Sequence, residues 1–296
     1  MEFDYGDLED WKKAGSIAAE ALQLGKSMIK PGVKLLDVAE AVENKIKELG
    51  AAPGFPTNIS LNHVAAHYTP LHNDEKVFSD EIVKLDVGVS YKGAIGDTAC
   101  TIDLSGENEE LVKASEEALQ NVLEMIKPGV TLSEIGKVVE ETITGKGFEP
   151  IRNLSGHGLG RFSVHSPPTI PNYDTGDETA LEKGQIIAIE PFATTGEGHI
   201  TETEQAEIFQ YNEKKPVRSA FARILLKDIE KFNGLPFCIR WLTKKHPLFK
   251  VNFALKELIR AGVIKAYPTL PEKKHGLVSQ SEHSIIVDDP VIVLTK

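Results

Sequence analysis

The sequence predicts an α+β fold of two related halves that share one sheet, with a basic helical segment inserted late in the chain. Three observations predict it. A block of residues recurs 97 positions downstream, β-like runs follow each copy, and the charge changes sign from about Lys214 onward.

In the repeat, Glu20-Ala21-Leu22-Gln23 and Met28-Ile29-Lys30-Pro31-Gly32-Val33 return as Glu117-Ala118-Leu119-Gln120 and Met125-Ile126-Lys127-Pro128-Gly129-Val130. Leu35, Val42, Glu43, Ile46 and Gly50 likewise match Leu132, Val139, Glu140, Ile143 and Gly147, giving 15 identities in 31 positions. Shared helical composition alone would not produce that agreement. Each copy reads as an amphipathic helix ending at a Lys-Pro-Gly turn, then a second helix stopped by glycine. Strand-like runs follow at 57–61, 82–89 and 93–103 after the first copy, and at 185–190 and 200–210 after the second. A site between the halves would draw its groups from both.

The segment 208–272 breaks this pattern. It carries basic helices at 219–232 and 253–261, a short β-like stretch at 262–267, and an exit through Pro268 and Pro271. Nothing in the first half corresponds to it, so it reads as an insertion into a body of residues 1–207 and 273–296. Strand character resumes at 276–286 and 291–294.

Composition narrows the class. With 296 residues, 41% hydrophobic and 26% charged, the chain can bury a large core as a soluble globular protein. It has no apolar run of about 18 residues, and the acidic opening at 1–5 lacks a signal-peptide pattern. Cys100 and Cys238 have neither metal-site nor redox spacing, which makes a reducing, cytoplasmic setting the default. The net charge of −11 argues against a general nucleic-acid binder. Residues 214–275, however, hold 15 Lys/Arg against 4 Asp/Glu, a net of +11, while the remainder holds 18 against 40, a net of −22. Cation chemistry is expected in the acidic part.

Four carboxylates stand where carboxylates are costly. The run 84–100 reads as a hairpin with its turn at 90–93, which would set Asp86 and Asp97 directly opposite one another between apolar neighbours. Opposed like charges repel, and a buried cation is the natural reason to keep both. Glu190 closes the apolar run 185–189, and Glu282 lies within 280–287. His157 sits between glycines in Gly156-His157-Gly158, read here as a loop, while His67 and His165 are each as compatible with surface histidines as with ligands. Two aspartates, one histidine and two glutamates make an oxygen-rich set. It suits two hard or borderline divalent cations better than one tetrahedral zinc. Such a pair holds a bridging hydroxide and polarises a carbonyl, which is hydrolytic machinery.

In order and spacing these segments resemble the methionine aminopeptidases, the "pita-bread" (creatinase/aminopeptidase) metallopeptidases. The likeness is greatest to the type 2 branch, archaeal-like in lacking a basic N-terminal extension, and it spans essentially the whole chain. It implies a pita-bread fold with an internal pseudo-two-fold and a small winged-helix-like insertion. It also implies Asp86, Asp97, His157, Glu190 and Glu282 as ligands of two divalent ions (cobalt, manganese, iron or zinc). Asp97 and Glu282 would bridge the ions, and Glu190 would double as a proton shuttle. His165 would contact the substrate amide and help stabilise the oxyanion, and His67 would line the methionine pocket with Phe55, Val164 and Tyr267. An aromatic residue is expected where this chain has Ser281.

The implied activity is hydroxide attack on the first peptide bond of nascent polypeptide N-termini, releasing the initiator methionine before a small second residue. Composition sets the further expectation of a cytoplasmic protein with no membrane association, and nothing in the sequence demands more than a monomer. The rivals are an Xaa-Pro peptidase on the same fold, whose N-terminal domain has no room before the repeat, and a non-catalytic pita-bread binding protein. Ribosome contact through the insertion is expected from its charge, with Lys244, Lys245, Lys273 and Lys274 as candidates.

Overall fold

The computed structural model describes residues 5–296, so the acidic opening falls, but for Tyr5, outside the described residues. The repeat appears as two helix pairs, α1 (Tyr5–Met28) with α2 (Leu35–Glu48) and α3 (Glu109–Met125) with α4 (Leu132–Gly145). The endpoints of α1 and α3, and the starts of α2 and α4, are 97 residues apart. Each inter-helix turn needs a left-handed residue, and glycine supplies it at Gly32 (φ +85°) and Gly129 (φ +96°). A capping box opens α4: Thr131 accepts from the Glu134 backbone, whose side chain accepts from the Thr131 N–H in return.

A nine-stranded sheet joins the halves. Asn58–Leu61 pairs with Ile82–Tyr91, which pairs with Ala94–Asp103; on the other side Ser155–Gly160 pairs with Ile186–Ile189, which pairs with Glu282–Ile286. The two trios meet where Glu282 pairs with Ala99 and His283 with Thr98. The seam is riveted by side chains: the Asp97 N–H donates to Ser284 Oγ, the Ser284 hydroxyl donates to Asp97 O, and Thr98 donates to Glu282 O. The sheet is therefore symmetric about the pair Ala94–Asp103 and Glu282–Ile286. In the first half, the two inner strands are joined by a two-residue turn. In the second, the corresponding connection runs from residue 190 to 281 and contains the insertion.

Alternation sorts the faces. Val83, Leu85, Val87 and Val89 pack in the core shared with α1 and α2, so Lys84, Asp86 and Gly88 point to the opposite face. A second core joins α3 and α4 to Ile187, Ile189 and Ile285. The described chain is α+β on the pita-bread plan.

Several details differ from expectation. The hairpin turn is Lys92-Gly93 (φ +49° and +90°), not centred at 90–93, because two consecutive left-handed residues make the tight turn that matches strand twist. Asp86 therefore faces Ala99, and Asp97 faces Gly88. The shift in pairing is two residues, so both aspartates stay on one face as diagonal neighbours. His157 lies on the strand Ser155–Gly160, not in a loop. Its glycines allow close packing, since a Cβ at Gly156 would come within 2.3 Å of Ala188 O. Of the run expected at 200–210, only Ala206–Tyr211 is a strand.

That strand sits between Phe237–Cys238 and Ile264–Pro268. Around it lie α5 (Ala220–Ile229), a short α6 (Ile239–Thr243) that the sequence pattern did not reveal, and α7 (Leu248–Arg260), which begins five residues earlier than expected. Leu225, Ile229, Phe237, Leu255 and Leu258 form their common core. No helix among the described residues is long and apolar enough to cross a membrane.

Candidate metal centre

Five neighbouring strands deliver the five predicted ligands to one cavity. Across the sheet they come in the order Asp86, Asp97, Glu282, Glu190, His157, with Glu190 immediately after its strand. All five line a cavity of about 350 Å³, together with His67, His165, Phe55 and Tyr267. Asp97, His157 and Glu282 each offer a ligand atom within 4.8 Å of the others, and His157 Nε2 lies 3.4 Å from Glu190 Oε1. Gln280, on the same face as Glu282, reaches across the group: its Nε2 donates to Asp86 Oδ2 (3.2 Å) and Glu190 Oε2 (3.4 Å).

Electrostatics show what the group lacks. Burial lifts Asp86 to about 6, with the Gln280 hydrogen bond opposing. Burial first, then mutual repulsion, pushes Asp97, Glu190 and Glu282 well above the carboxylate range. Four buried carboxylates cannot all ionise without compensating charge, and no Lys or Arg pairs with any of them among the described residues. Acceptors nearby are also unfilled: Asn58 Oδ1 and Gln280 Oε1 are buried without hydrogen-bond partners. The set is rich in acceptors, poor in donors, and made of oxygen plus one imidazole. These residues fit divalent cations.

Beside the carboxylates stands an aromatic box. Phe55 packs edge-on to Tyr267 (5.5 Å between centroids) and stacks near His67 (5.8 Å), and Tyr267 lies 5.2 Å from His67 and 5.8 Å from His165. Gly88 makes room for Phe55, since a Cβ there would come within 3.0 Å of it. Val164 does not line the cavity. It is fully buried in the core that also holds Phe55, because it alternates with His165 along its strand. Ser281 also points away, its hydroxyl meeting Ser115 on α3 at 3.1 Å, so the absence of an aromatic there leaves the box unchanged.

Hydrogen bonds place a proton on Nδ1 of both histidines, and their low proton affinity leaves Nε2 bare. His67 (φ +66°) donates from Nδ1 to Pro268 O at 3.2 Å, leaving Nε2 as an acceptor. Gln210 donates its amide to Gly234 O, so its Oε1 takes the Tyr267 hydroxyl proton at 2.7 Å. Tyr267 Oη can then only accept from His165 Nδ1, at 3.4 Å. Enclosure by protein lowers His67 and His165 to about 4 and His157 to about 3; the neighbouring imidazole adds to the effect at His67 and His157, and Lys265 adds to it at His165.

Gln280, Asn58 and Lys265, all on the cavity wall or in contact with its carboxylates, are not among the residues predicted from sequence. Gln280 and Lys265 were available from alternation, each two residues from a selected residue. Asn58 was not, because it enters through its pairing with Asp86.

The chain as a whole has matches among known proteins. Residues 9–219 match the model of metallopeptidase family M24. The chain belongs to that family. Membership makes it a metal-dependent hydrolase of peptide bonds. A methionine aminopeptidase of Archaeoglobus fulgidus is 49% identical over 285 residues, covering 96% of each chain. The crystal structure of a methionine aminopeptidase from Thermotoga maritima is 28% identical, with a TM-score of 0.74 over 100% of this chain and 99% of that one. A prolidase from Pyrococcus furiosus shares the fold at 22% identity and a TM-score of 0.62, over 99% of this chain but only 64% of its own length.

Proposed function

We propose that this M24 enzyme removes the N-terminal methionine from newly made proteins with a small second residue. The single observation that carries the proposal is the aromatic box of Phe55, His67, His165 and Tyr267 directly beside the five-ligand cluster. A flexible, polarisable thioether packs well against such rings. The full-length identity to the Archaeoglobus fulgidus methionine aminopeptidase supports the same reading.

Asp86, Asp97, His157, Glu190 and Glu282 would hold two divalent cations, with four carboxylates balancing their charge. When bound, such a pair supplies a water acidic enough to be a nucleophile near neutral pH and a Lewis acid for the carbonyl. The remaining steps belong to the chain. The box takes the methionine side chain and fixes the first peptide bond over the cluster. His165, with its Nδ1 proton directed to Tyr267, presents Nε2 as an acceptor, which suits the scissile amide N–H better than an oxyanion. Glu190, beside His157 and Gln280, is the group placed to carry a proton toward the leaving amine.

Metal-loaded enzyme should release methionine from Met-Ala-Ser and leave Xaa-Pro dipeptides intact. Xaa-Pro cleavage without methionine release would replace this reading with the prolidase one.

The insertion, taken as residues 208–272 against a body of 1–207 and 273–296, is proposed to contact ribosomal RNA where nascent chains emerge in the cytoplasm, with the enzyme acting as a monomer. Of the four lysines expected to make that contact, three are already ion-paired, and Lys274 has no carboxylate partner among the described residues. Lys244 pairs with Glu40, Lys273 with Glu197, and Lys245 with Asp228. The open positive face is on α7. There Lys250, Lys256 and Arg260 have no carboxylate partner among the described residues, and the neighbouring Phe249 and Phe253 are 71% and 68% exposed. Reversing Lys250, Lys256 and Arg260 to glutamate should weaken ribosome co-sedimentation in a salt-dependent way and spare Met-Ala-Ser cleavage. Unchanged co-sedimentation at low salt would remove this face from the interface.

A further inference from the structure

The cavity wall holds four carboxylates and a single amine. Lys265 is exposed at the mouth, on the strand Ile264–Pro268, two residues before Tyr267 and on the same face. Its Nζ lies 5.1 Å from the Tyr267 ring centroid. Among the described residues no carboxylate stands within ion-pair distance of it, whereas Lys231, Lys244, Lys245 and Lys273 of the same basic region are all paired. Lys265 is thus an unneutralised cation at the entrance to a site whose own acids are committed to metal. Its charge reaches inward, contributing with burial to the low proton affinity of His165.

The direction of the substrate follows from the site. On the methionine-removal reading, on which this inference rests, the N-terminal residue occupies the aromatic box and the rest of the chain leaves through the mouth. It passes Tyr267 and then Lys265. We propose that Lys265 receives a carboxylate of the substrate downstream of the scissile bond, so that the enzyme favours N-termini carrying an acidic residue just beyond the second position. The pairing site is at the rim, beyond the second residue, so the charge is read only on the residues after it. A carboxylate can come from an acidic side chain or from the free C-terminus of a short peptide, and the two are separable.

The test uses metal-loaded enzyme and pairs of peptides that differ in one charge. Met-Ala-Asp-Ser amide against Met-Ala-Asn-Ser amide reads the side chain, and Met-Ala-Ser against its amide reads the terminal carboxylate. A partly exposed ion pair should favour the acidic member by about three- to fivefold in kcat/KM at low salt, carried mainly by KM. The preference should vanish in Lys265→Ala, reverse in Lys265→Glu, and shrink in about 1 M salt, where the Debye length is about 3 Å. Each ratio is taken within one variant, so a general loss of activity cannot imitate the effect. Equal ratios in the parent enzyme and Lys265→Glu overturn the assignment of Lys265, as does a preference that survives the reversal. Absence of methionine release from every peptide overturns the functional reading itself, and this inference with it.

Discussion

Asp97→Asn gives a folded protein that no longer cleaves methionyl peptides, with turnover reduced about a thousandfold or more. Asp97 occupies the inner strand of its half and shares the central seam with Glu282, so one amide there removes charge from the middle of the cluster. Folding survives because the seam is held by backbone groups: Asp97 N and O both bond Ser284, and neither bond involves the carboxylate. The sign of the stability effect should depend on metal. In metal-free protein, Asp97→Asn relieves repulsion among four buried acids, so its melting temperature should equal or exceed that of the metal-free parent. With metal present the parent gains stability by mass action, and the variant loses most of that gain. Metal content per chain, melting with and without added cation, and turnover decide it together. A variant that keeps two ions per chain and parental turnover removes Asp97 from the ligand set.

The ligands were legible because burial leaves a strong mark on carboxylates. Asp86, Asp97 and Glu282 stand in strands and Glu190 directly follows one, close in the chain to core residues such as Leu85, Ile95, Ile189 and Ile285, and the 97-residue repeat indicated that both halves would contribute. What failed was local geometry. The hairpin turn was set one residue early because Ser90–Gly93 and Tyr91–Ala94 both offer glycine, and only the left-handed pair Lys92-Gly93 satisfies strand twist. His157 looked like a loop residue because its strand, Ser155–Gly160, is half glycine. In that strand, close packing against Ala188 and Pro167 takes the place of β-propensity. Val164, expected in the pocket only from the resemblance, is buried in the core, since it alternates with His165 along its strand. The hydrogen-bond chain Gly234–Gln210–Tyr267–His165 had no signature in sequence, because its members meet only across the insertion's sheet.

The largest stability effect is expected at a position far from the carboxylates. Arg240 is fully buried on α6, where its guanidinium makes a bidentate pair with Glu43 of α2 (2.7 Å to each oxygen) and donates to Thr69 Oγ1 and Pro70 O. Trp241 Nε1 also donates to Glu43 at 2.8 Å. This is a fully buried polar anchor between insertion and body, and it ends two residues beyond His67. Arg240→Met strands a buried carboxylate and should cost about 3–5 kcal/mol, a fall in melting temperature of roughly 5–8 °C for a chain of this size. Arg240→Lys should recover only part, since a single ammonium cannot reproduce a fork that serves four acceptors. The double variant Arg240→Met with Glu43→Met removes both charges and should regain most of the loss. A second consequence separates anchoring from mere bulk stability. With Thr69 and Pro70 released, the left-handed turn at His67 loses its support, and KM for methionyl peptides should rise in the double variant even where stability is restored. If that double variant recovers both stability and parental KM, Arg240 holds the insertion in place without shaping the aromatic box.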